Sequence, residues 1–235
     1  MRAMWLIGGN LIREQRWLAL VLAFYVLTMT VFLSRESRIA AGDVAFLVKQ
    51  QAIYAVLFSA MLALSTIHNE RKTRRILAVL SKSVTRGQYI GGLLLGIMVL
   101  ISSYCALVFL AGAFLARRID VPVVQVGWMM LVALVAALLA ATIALVFASL
   151  LHPVLATAAT GLIVALPMAL EAVLGHRAEL VLPVYSLSMT IARSTFDISW
   201  KVAGPMLAAG VAEAAVVGML AVAVFSLKDI AVAVE

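Results

Sequence analysis

Six long apolar segments constrain the fold of this chain more than any other feature of its sequence. A helix needs about 20 mostly apolar residues to cross the roughly 30 Å hydrocarbon core of a bilayer. Segments of about that length cover residues 17–33, 44–67, 90–116, 123–151, 153–174 and 203–227. The overall composition, 65% hydrophobic and 12% charged, also lies outside that of soluble domains. We therefore predict an all-α integral membrane protein, with residues 1–235 forming a single transmembrane domain of six transmembrane helices.

Three of these segments have atypical ends or lengths. The first is long enough to span, and no small-residue cleavage site follows it at Ser34, so we expect a retained span rather than a signal peptide. The second has Lys49, Gln50 and Gln51 near its start, and we expect their side chains near the interface, extending toward the headgroups. The fourth is too long for a straight crossing, which predicts tilt or an extension beyond the bilayer.

The distribution of basic residues predicts the orientation of the chain. With six spans both termini lie on one side, and cytoplasmic loops carry the excess of Lys and Arg. On the side of the termini the basic residues are Arg2, Arg13, Arg16, the six between 71 and 86, and Lys228. On the other side are Arg35, Arg38, Lys49, Arg117, Arg118, Arg177, Arg193 and Lys201, diluted by five acidic residues. We therefore expect a multi-pass protein of the cytoplasmic (inner) membrane with both termini in the cytoplasm.

Residues 1–16, before the first span, have the pattern of a short interfacial helix. The apolar residues near one side of the predicted helix are Met4, Trp5, Leu11 and Ile12. Asn10, Arg13 and Arg16 lie elsewhere, and Gly8-Gly9 is the expected weak point. A frayed cytoplasmic tail is the alternative, although Trp5 and Trp17 favour the interface.

The loop of residues 69–89, "NERKTRRILAVLSKSVTRGQY", is the longest polar stretch between two spans. On a helical wheel, residues 70–80 form an amphipathic helix. Its basic face carries Arg71, Lys72, Arg74 and Arg75, and its apolar face carries Ile76, Leu77, Val79 and Leu80. Gly87, in the polar segment that follows, suits a turn. Such a helix suits anionic lipid or a groove of another protein, although basic loops also serve only to fix topology.

The same stretch, extended to "NERKTRRILAVLSKSVTRGQYIGG", resembles the cytoplasmic loop of ABC transporter permeases of the type-2 exporter (ABC-2) family. The residues that match the family pattern are Glu70, Leu80, Ser81, Val84, Thr85, Arg86 and Tyr89. The chain departs from the pattern at Ser83, where proline is usual, and at Gly92, where lysine is frequent. Without that proline the helix can continue further, and without the lysine one contact to headgroups or to the partner is lost.

The resemblance implies a cytoplasmic coupling helix between spans two and three that inserts into a cleft of a separate ATPase subunit. The expected docking residues are Glu70, Arg71, Arg74, Arg75, Ile76, Leu77, Leu80, Ser81 and Arg86. The chain has no G-x-x-x-x-G-K-[ST] loop, so we expect no enzyme activity and no cofactor in it, with ATP and Mg²⁺ bound by the partner. Two ATPase subunits and a second permease are implied, the latter either a second copy or a related chain.

Glu213 lies ten residues into the last apolar segment, near the bilayer midplane, where a charge costs at least about 2.5–3.5 kcal/mol. It is a candidate for the transport path, or a neutral carboxyl bonded to a neighbouring helix. Glu171 is close enough to the outer interface to reach it, and His152 is interpreted as a turn residue beside Pro153. Two stripes of small residues predict close helix packing: Ala136, Ala140, Ala144 and Ala148 in the fourth span, and Gly210, Ala214 and Gly218 in the sixth.

The external segment of residues 175–202 is too polar to span and predicts short extracytoplasmic helices. These would form an outer gate, hold an extracytoplasmic accessory protein, or rest on membrane lipid through Tyr185, Phe196 and Trp200. Two other function classes compete with a permease. An intramembrane enzyme is disfavoured because H-E-x-x-H and G-x-S-x-G motifs are absent. A stand-alone ion-coupled carrier with Glu213 as its proton site is the alternative, without visible internal repeats to support it.

Overall fold

The computed structural model describes residues 2–36, 39–72, 84–174 and 200–227, together with Leu187 and Ile191. The described chain is all α-helical, as predicted. Its long helices are α1 (Arg2–Glu14), α2 (Arg16–Ser34), α3 (Ala41–Lys72), α4 (Arg86–Ala116), α5 (Val123–Leu150), α6 (Pro153–Leu174) and α7 (Trp200–Leu227). Five of them, α2, α3, α4, α5 and α7, are long and apolar enough to cross a membrane. The chain is therefore a multi-pass membrane protein by the length and composition of its helices.

The centre of the bundle is the contact between α3 and α5, the most extensive helix pair among the described residues. Small side chains allow the two backbones to approach, since Ala52 and Ala55 on α3 and Ala137 on α5 are fully buried. Ser59 Oγ donates a hydrogen bond across this contact to the carbonyl oxygen of Ala137, at 2.8 Å. The alanine stripe predicted on α5 is buried throughout its length, which confirms that prediction.

The small residues predicted on α7 also lie in the packed interior. Gly210 is buried, and a Cβ there would come within 2.7 Å of Leu187 and 2.8 Å of Val135 on α5. Ala214, one turn later, is buried against Leu139 and Ile143 of α5. The stripe is thus the face through which α7 joins the bundle.

Helix α1 packs along the first half of α4 through glycines on both helices. A Cβ on Gly96 would lie 2.9 Å from the Cα atom of Gly8, and one on Gly92 would lie 2.9 Å from the Cβ of Ile7. The prediction of a weak point at Gly8-Gly9 was wrong, because α1 is continuous through both residues. The role of Gly8 is to let the backbones of α1 and α4 approach closely, and not to make α1 flexible. The same contact leaves no room at position 92 for the lysine of the pattern that the loop resembles, because its side chain would collide with α1.

The expectation that Gln50 and Gln51 extend toward the headgroups was also wrong. The Gln51 side chain is 1% exposed, and its Oε1 accepts a hydrogen bond from the Tyr104 hydroxyl of α4 at 2.5 Å. Gln50 Nε2 donates to the hydroxyl of Tyr54 at 2.9 Å, one turn further along α3. A polar side chain left without a partner in hydrocarbon costs free energy. A hydrogen bond between an amide and a polar group on a neighbouring helix lowers that cost for both groups.

Helix α3 is longer than the span predicted for it. The sequence predicts a span over residues 44–67 and a separate helix from residue 70, whereas α3 runs without interruption over 32 residues to Lys72. At 1.5 Å per residue this helix is about 48 Å long, well beyond the hydrocarbon thickness. The first residues of the polar loop therefore continue the helical axis of a membrane span.

Candidate functional site

The ends of three helices meet where the polar loop joins the bundle. The C-terminal end of α3 contributes Glu70, the N-terminal end of α4 contributes Thr85, Arg86 and Tyr89, and the C-terminal end of α7 contributes Phe225. Hydrogen bonds and a ring contact connect these residues. We call this set of five residues the loop anchor, because it holds the chain on both sides of residues 73–83.

Tyr89 is the centre of the loop anchor and is fully buried. Its hydroxyl donates a hydrogen bond to Oε2 of Glu70, which gives the buried phenol a carboxylate acceptor. Its ring stacks on that of Phe225, with the ring centroids 5.5 Å apart and the planes inclined by 17°. One side chain on α4 thereby contacts both α3 and α7.

Arg86 makes a second link between α4 and α7. Its Nη1 donates to the backbone carbonyl oxygens of Phe225, at 3.2 Å, and Ser226, at 2.7 Å. The last carbonyls of a helix have no partner within the helix, and its C-terminal end carries partial negative charge. A guanidinium placed there satisfies the carbonyls and interacts favourably with the helix dipole.

Thr85 starts α4 through a capping box. Its side-chain oxygen accepts from the Gln88 backbone N–H at 3.2 Å, and Gln88 Oε1 accepts from the Thr85 backbone N–H at 3.2 Å. This reciprocal pair satisfies two donors at the helix start. Gly87 accordingly lies in the first turn of α4 and does not form the turn expected from the sequence.

The structure brings together two of the predicted docking residues, Glu70 and Arg86. The side chain of Arg71, and all of Arg74, Arg75, Ile76, Leu77, Leu80 and Ser81, lie outside the described residues. The coupling helix of residues 70–80 is therefore described only at its first residues, which belong to α3. Sequence reasoning missed Gln88 and Phe225: the T-x-x-Q spacing signals the capping box, whereas no local signal marks Phe225.

Glu213, the candidate for the transport path, lies in the middle of α7. It is half-buried, and its Oε2 is buried without a hydrogen-bond partner among the described residues. Val217, one turn later on the same face, packs against the cluster formed by Leu139, Ile143 and Ala214. Glu213 is thus on the same helix as Phe225 of the loop anchor, 12 residues or about 18 Å away along the helix axis.

His152 lies in the turn between α5 and α6, as the sequence predicts. With His68 of α3, it lines a cavity of about 360 Å³ that also includes Leu64, Leu151 and Pro153. No group of three or more His, Cys, Asp or Glu side chains suited to a metal occurs within the described ranges. Glu171 lies in α6, and its side chain is outside the described part of the chain.

No protein-family model and no curated protein matches this chain. The resemblance of its loop to the ABC-2 pattern therefore depends on the matching residues alone. Four of those residues, Glu70, Thr85, Arg86 and Tyr89, belong to the loop anchor, whose geometry is independent of that resemblance.

Proposed function

We propose that this chain is the membrane-spanning permease subunit of an ATP-driven exporter of the ABC-2 type. A separate cytoplasmic ATPase, which binds ATP and Mg²⁺, would supply the energy, and this chain would convert it into movement of a substrate or into mechanical work. The observation that carries the proposal is the loop anchor. Residues that match the family pattern for an ATPase-docking loop are the ones that connect this loop to three helices.

The loop anchor gives a physical route for coupling. A force on residues 73–83 reaches α3 through its continuous helical axis, because that helix extends to Lys72. The Glu70–Tyr89 hydrogen bond transmits the same displacement to α4, and Arg86 with Phe225 transmits it to α7. Packed helices move as rigid elements, so closure of an ATPase cleft around the loop would shift three helices together.

The positions of the helix ends support a sixth crossing by α6. Helix α5 ends beside α3 at the cavity shared by His152 and His68, whereas α7 begins near the other end of α5, where the rings of Trp200 and Trp128 lie 4.7 Å apart. The intervening chain must return across the bundle. Helix α6 has 22 residues, about 33 Å, which matches the hydrocarbon thickness. In this proposal there are six spans with both termini in the cytoplasm, in the inner membrane.

The family resemblance supplies the rest of the assembly. Two ATPase subunits would dock on two permease chains, either two copies of this chain or this chain with a related permease. The external residues 175–202, most of which lie outside the described ranges, would face an extracytoplasmic accessory protein or the lipid surface.

Co-purification with a candidate ATPase, encoded beside this chain, tests the docking. We expect Leu77→Asp and Leu80→Asp each to abolish retention of the ATPase, because a carboxylate replaces an apolar contact in its cleft. Leu227→Asp is the matched control, since Leu227 is an exposed apolar residue at the same end of the bundle but outside the loop. Docking through this loop is wrong if both loop variants fold in the membrane and still retain the ATPase fully.

A stand-alone ion-coupled carrier is the second candidate, and Glu213 is the observation that favours it. A carboxyl oxygen buried in mid-span without a described partner is the kind of group that carries a proton in transporters. Transport by a carrier would be driven by a proton gradient in vesicles without ATP, and Glu213→Gln would abolish it. If transport requires ATP and is unchanged in Glu213→Gln at every pH, the carrier hypothesis is wrong and Glu213 has only a packing role.

A further inference from the structure

A groove between α4 and α5 opens on the side of the bundle away from the loop anchor. It has a volume of about 460 Å³ and is lined almost entirely by apolar groups. The side chains that shape it are Cys105 and Phe109 of α4, and Trp128, Leu131 and Leu134 of α5. Gly127 leaves part of its wall open, because among the described residues a Cβ there would touch only the ring of Phe109, at 3.4 Å.

The length of the groove matches one leaflet of a bilayer. Its lining extends along α5 from Val123, the first residue of the helix, to Leu134, a rise of about 16 Å. Half of the hydrocarbon core of a bilayer is about 15 Å thick. The groove therefore runs from the headgroup level to the bilayer midplane, and the exposure of Val124 and Leu131 shows that it is open laterally. A single acyl chain has this length and chemistry.

The mouth of the groove carries groups that favour a phosphate. Arg117 is exposed and is the C-cap of α4, with helical backbone angles, eleven residues or about three turns beyond the groove residue Ala106, so it lies beyond the end of the groove on the side of Ala106. Helix α5 begins at the same level with Pro122 at its N-cap and no side-chain cap, which leaves backbone N–H groups and the positive end of its dipole at the mouth. Asp120, in the same turn, and the C-terminal end of α4, which carries partial negative charge, offset part of this charge.

We propose that this groove binds an anionic phospholipid, with one acyl chain between α4 and α5 and the phosphate at Arg117 and the start of α5. The neighbouring Arg118 is already engaged, since its Nη1 donates to the carbonyl oxygen of Ser34 at 2.9 Å and its guanidinium lies 4.8 Å from the Phe114 ring centroid. Arg117 is therefore the side chain that selects for charge. The site depends only on α4 and α5 as spans and is independent of the proposed exporter function.

Quenching of Trp128 by brominated lipids tests this site directly. The full chain, with its other tryptophans replaced by W5F, W17F and W200F, is reconstituted in phosphatidylcholine vesicles that contain brominated phosphatidylglycerol or brominated phosphatidylcholine at equal mole fraction. We expect phosphatidylglycerol to quench Trp128 at about fivefold lower mole fraction. That factor corresponds to about 1 kcal/mol for one basic residue at an anionic surface.

Three further variants separate the groove from bulk lipid contact. Gly127→Leu fills the groove and should remove the preference for phosphatidylglycerol. Gly161→Leu, the matched control, lies on α6, where no described atom is within 4 Å of its Cβ position, and should keep the preference. Arg117→Gln should lower the affinity for phosphatidylglycerol to that for phosphatidylcholine while both lipids still quench. The proposal is overturned by equal quenching from the two lipids in the parent chain, which indicates bulk lipid, or by no quenching from either, which indicates that protein covers the groove.

Discussion

Tyr89 connects three helices because its two ends make different contacts. The hydroxyl reaches Glu70 on α3, and the ring stacks on Phe225 of α7. The partners are 19 residues before and 136 residues after it in the chain, so no local sequence pattern indicates that they meet. The resemblance pointed to Tyr89 and Glu70 as members of one motif, but only the fold shows why the motif needs both: the phenol is fully buried, and a buried donor without an acceptor costs free energy.

A double-mutant cycle of Glu70→Leu and Tyr89→Phe measures this hydrogen bond. We expect a coupling of about 1.5–3 kcal/mol in the free energy of unfolding in detergent, the range for a bond to a charged acceptor. The cycle subtracts the other contacts of both side chains. Additive effects of the two substitutions, within about 0.5 kcal/mol, would show that the bond does not hold α3 to α4.

At the scale of elements, hydropathy predicts the spans well and the helix ends less well. The predicted spans at 90–116 and 123–151 correspond to α4 and α5, both long and apolar enough to cross a membrane, because a long apolar run has few alternatives to a membrane helix. Hydropathy ends the second span at residue 67, because it measures how apolar the side chains are and not where the helix ends. The backbone hydrogen bonds of α3 continue to Lys72, so the polar end of α3 belongs to the same helix. Glycine is equally ambiguous: Gly8 reads as a flexible point in the sequence, and its role in close packing depends on Gly92 and Gly96 of another helix.

Gly96→Leu tests the packing of α1 on α4. A Cβ there already approaches the Gly8 backbone to 2.9 Å, so a leucine should separate the helices and lower the free energy of unfolding by about 1–3 kcal/mol, as overpacking does. Gly9→Leu is the control, because no atom of the described residues lies within 4 Å of its Cβ position; it should leave stability unchanged or raise it by up to about 1 kcal/mol through helix propensity. Equal losses in the two variants, measured by thermal unfolding, would contradict the glycine contact.

At the scale of the whole molecule, the loop anchor, Glu213 and the groove between α4 and α5 occupy different levels of one bundle. The loop anchor lies at the end that we assign to the cytoplasm, Glu213 in mid-span, and the groove in the opposite half. This order follows from the directions of α4, α5 and α7 in the bundle. The proposed six-span topology adds that α6 crosses the membrane between α5 and α7. The orientation depends on the charge bias of the loops. The six-span topology and the orientation are both predicted from the pattern of the whole chain and not from any single contact.

Labelling of single cysteines in intact cells by a membrane-impermeant maleimide tests both the six-span topology and the orientation. In a Cys105→Ala background, we expect Asp120→Cys and Arg177→Cys to react from outside, because six spans place residues 120 and 177 on the external side. His152→Cys and Lys228→Cys should react only after the membrane is permeabilised. Labelling of residue 177 together with residue 152 would show that α6 does not cross, and external labelling of residues 152 and 228, with residue 120 protected, would reverse the orientation. The first result would exclude the six-span topology, and the second would put the loop anchor on the side of the membrane without ATP and exclude docking to a cytoplasmic ATPase.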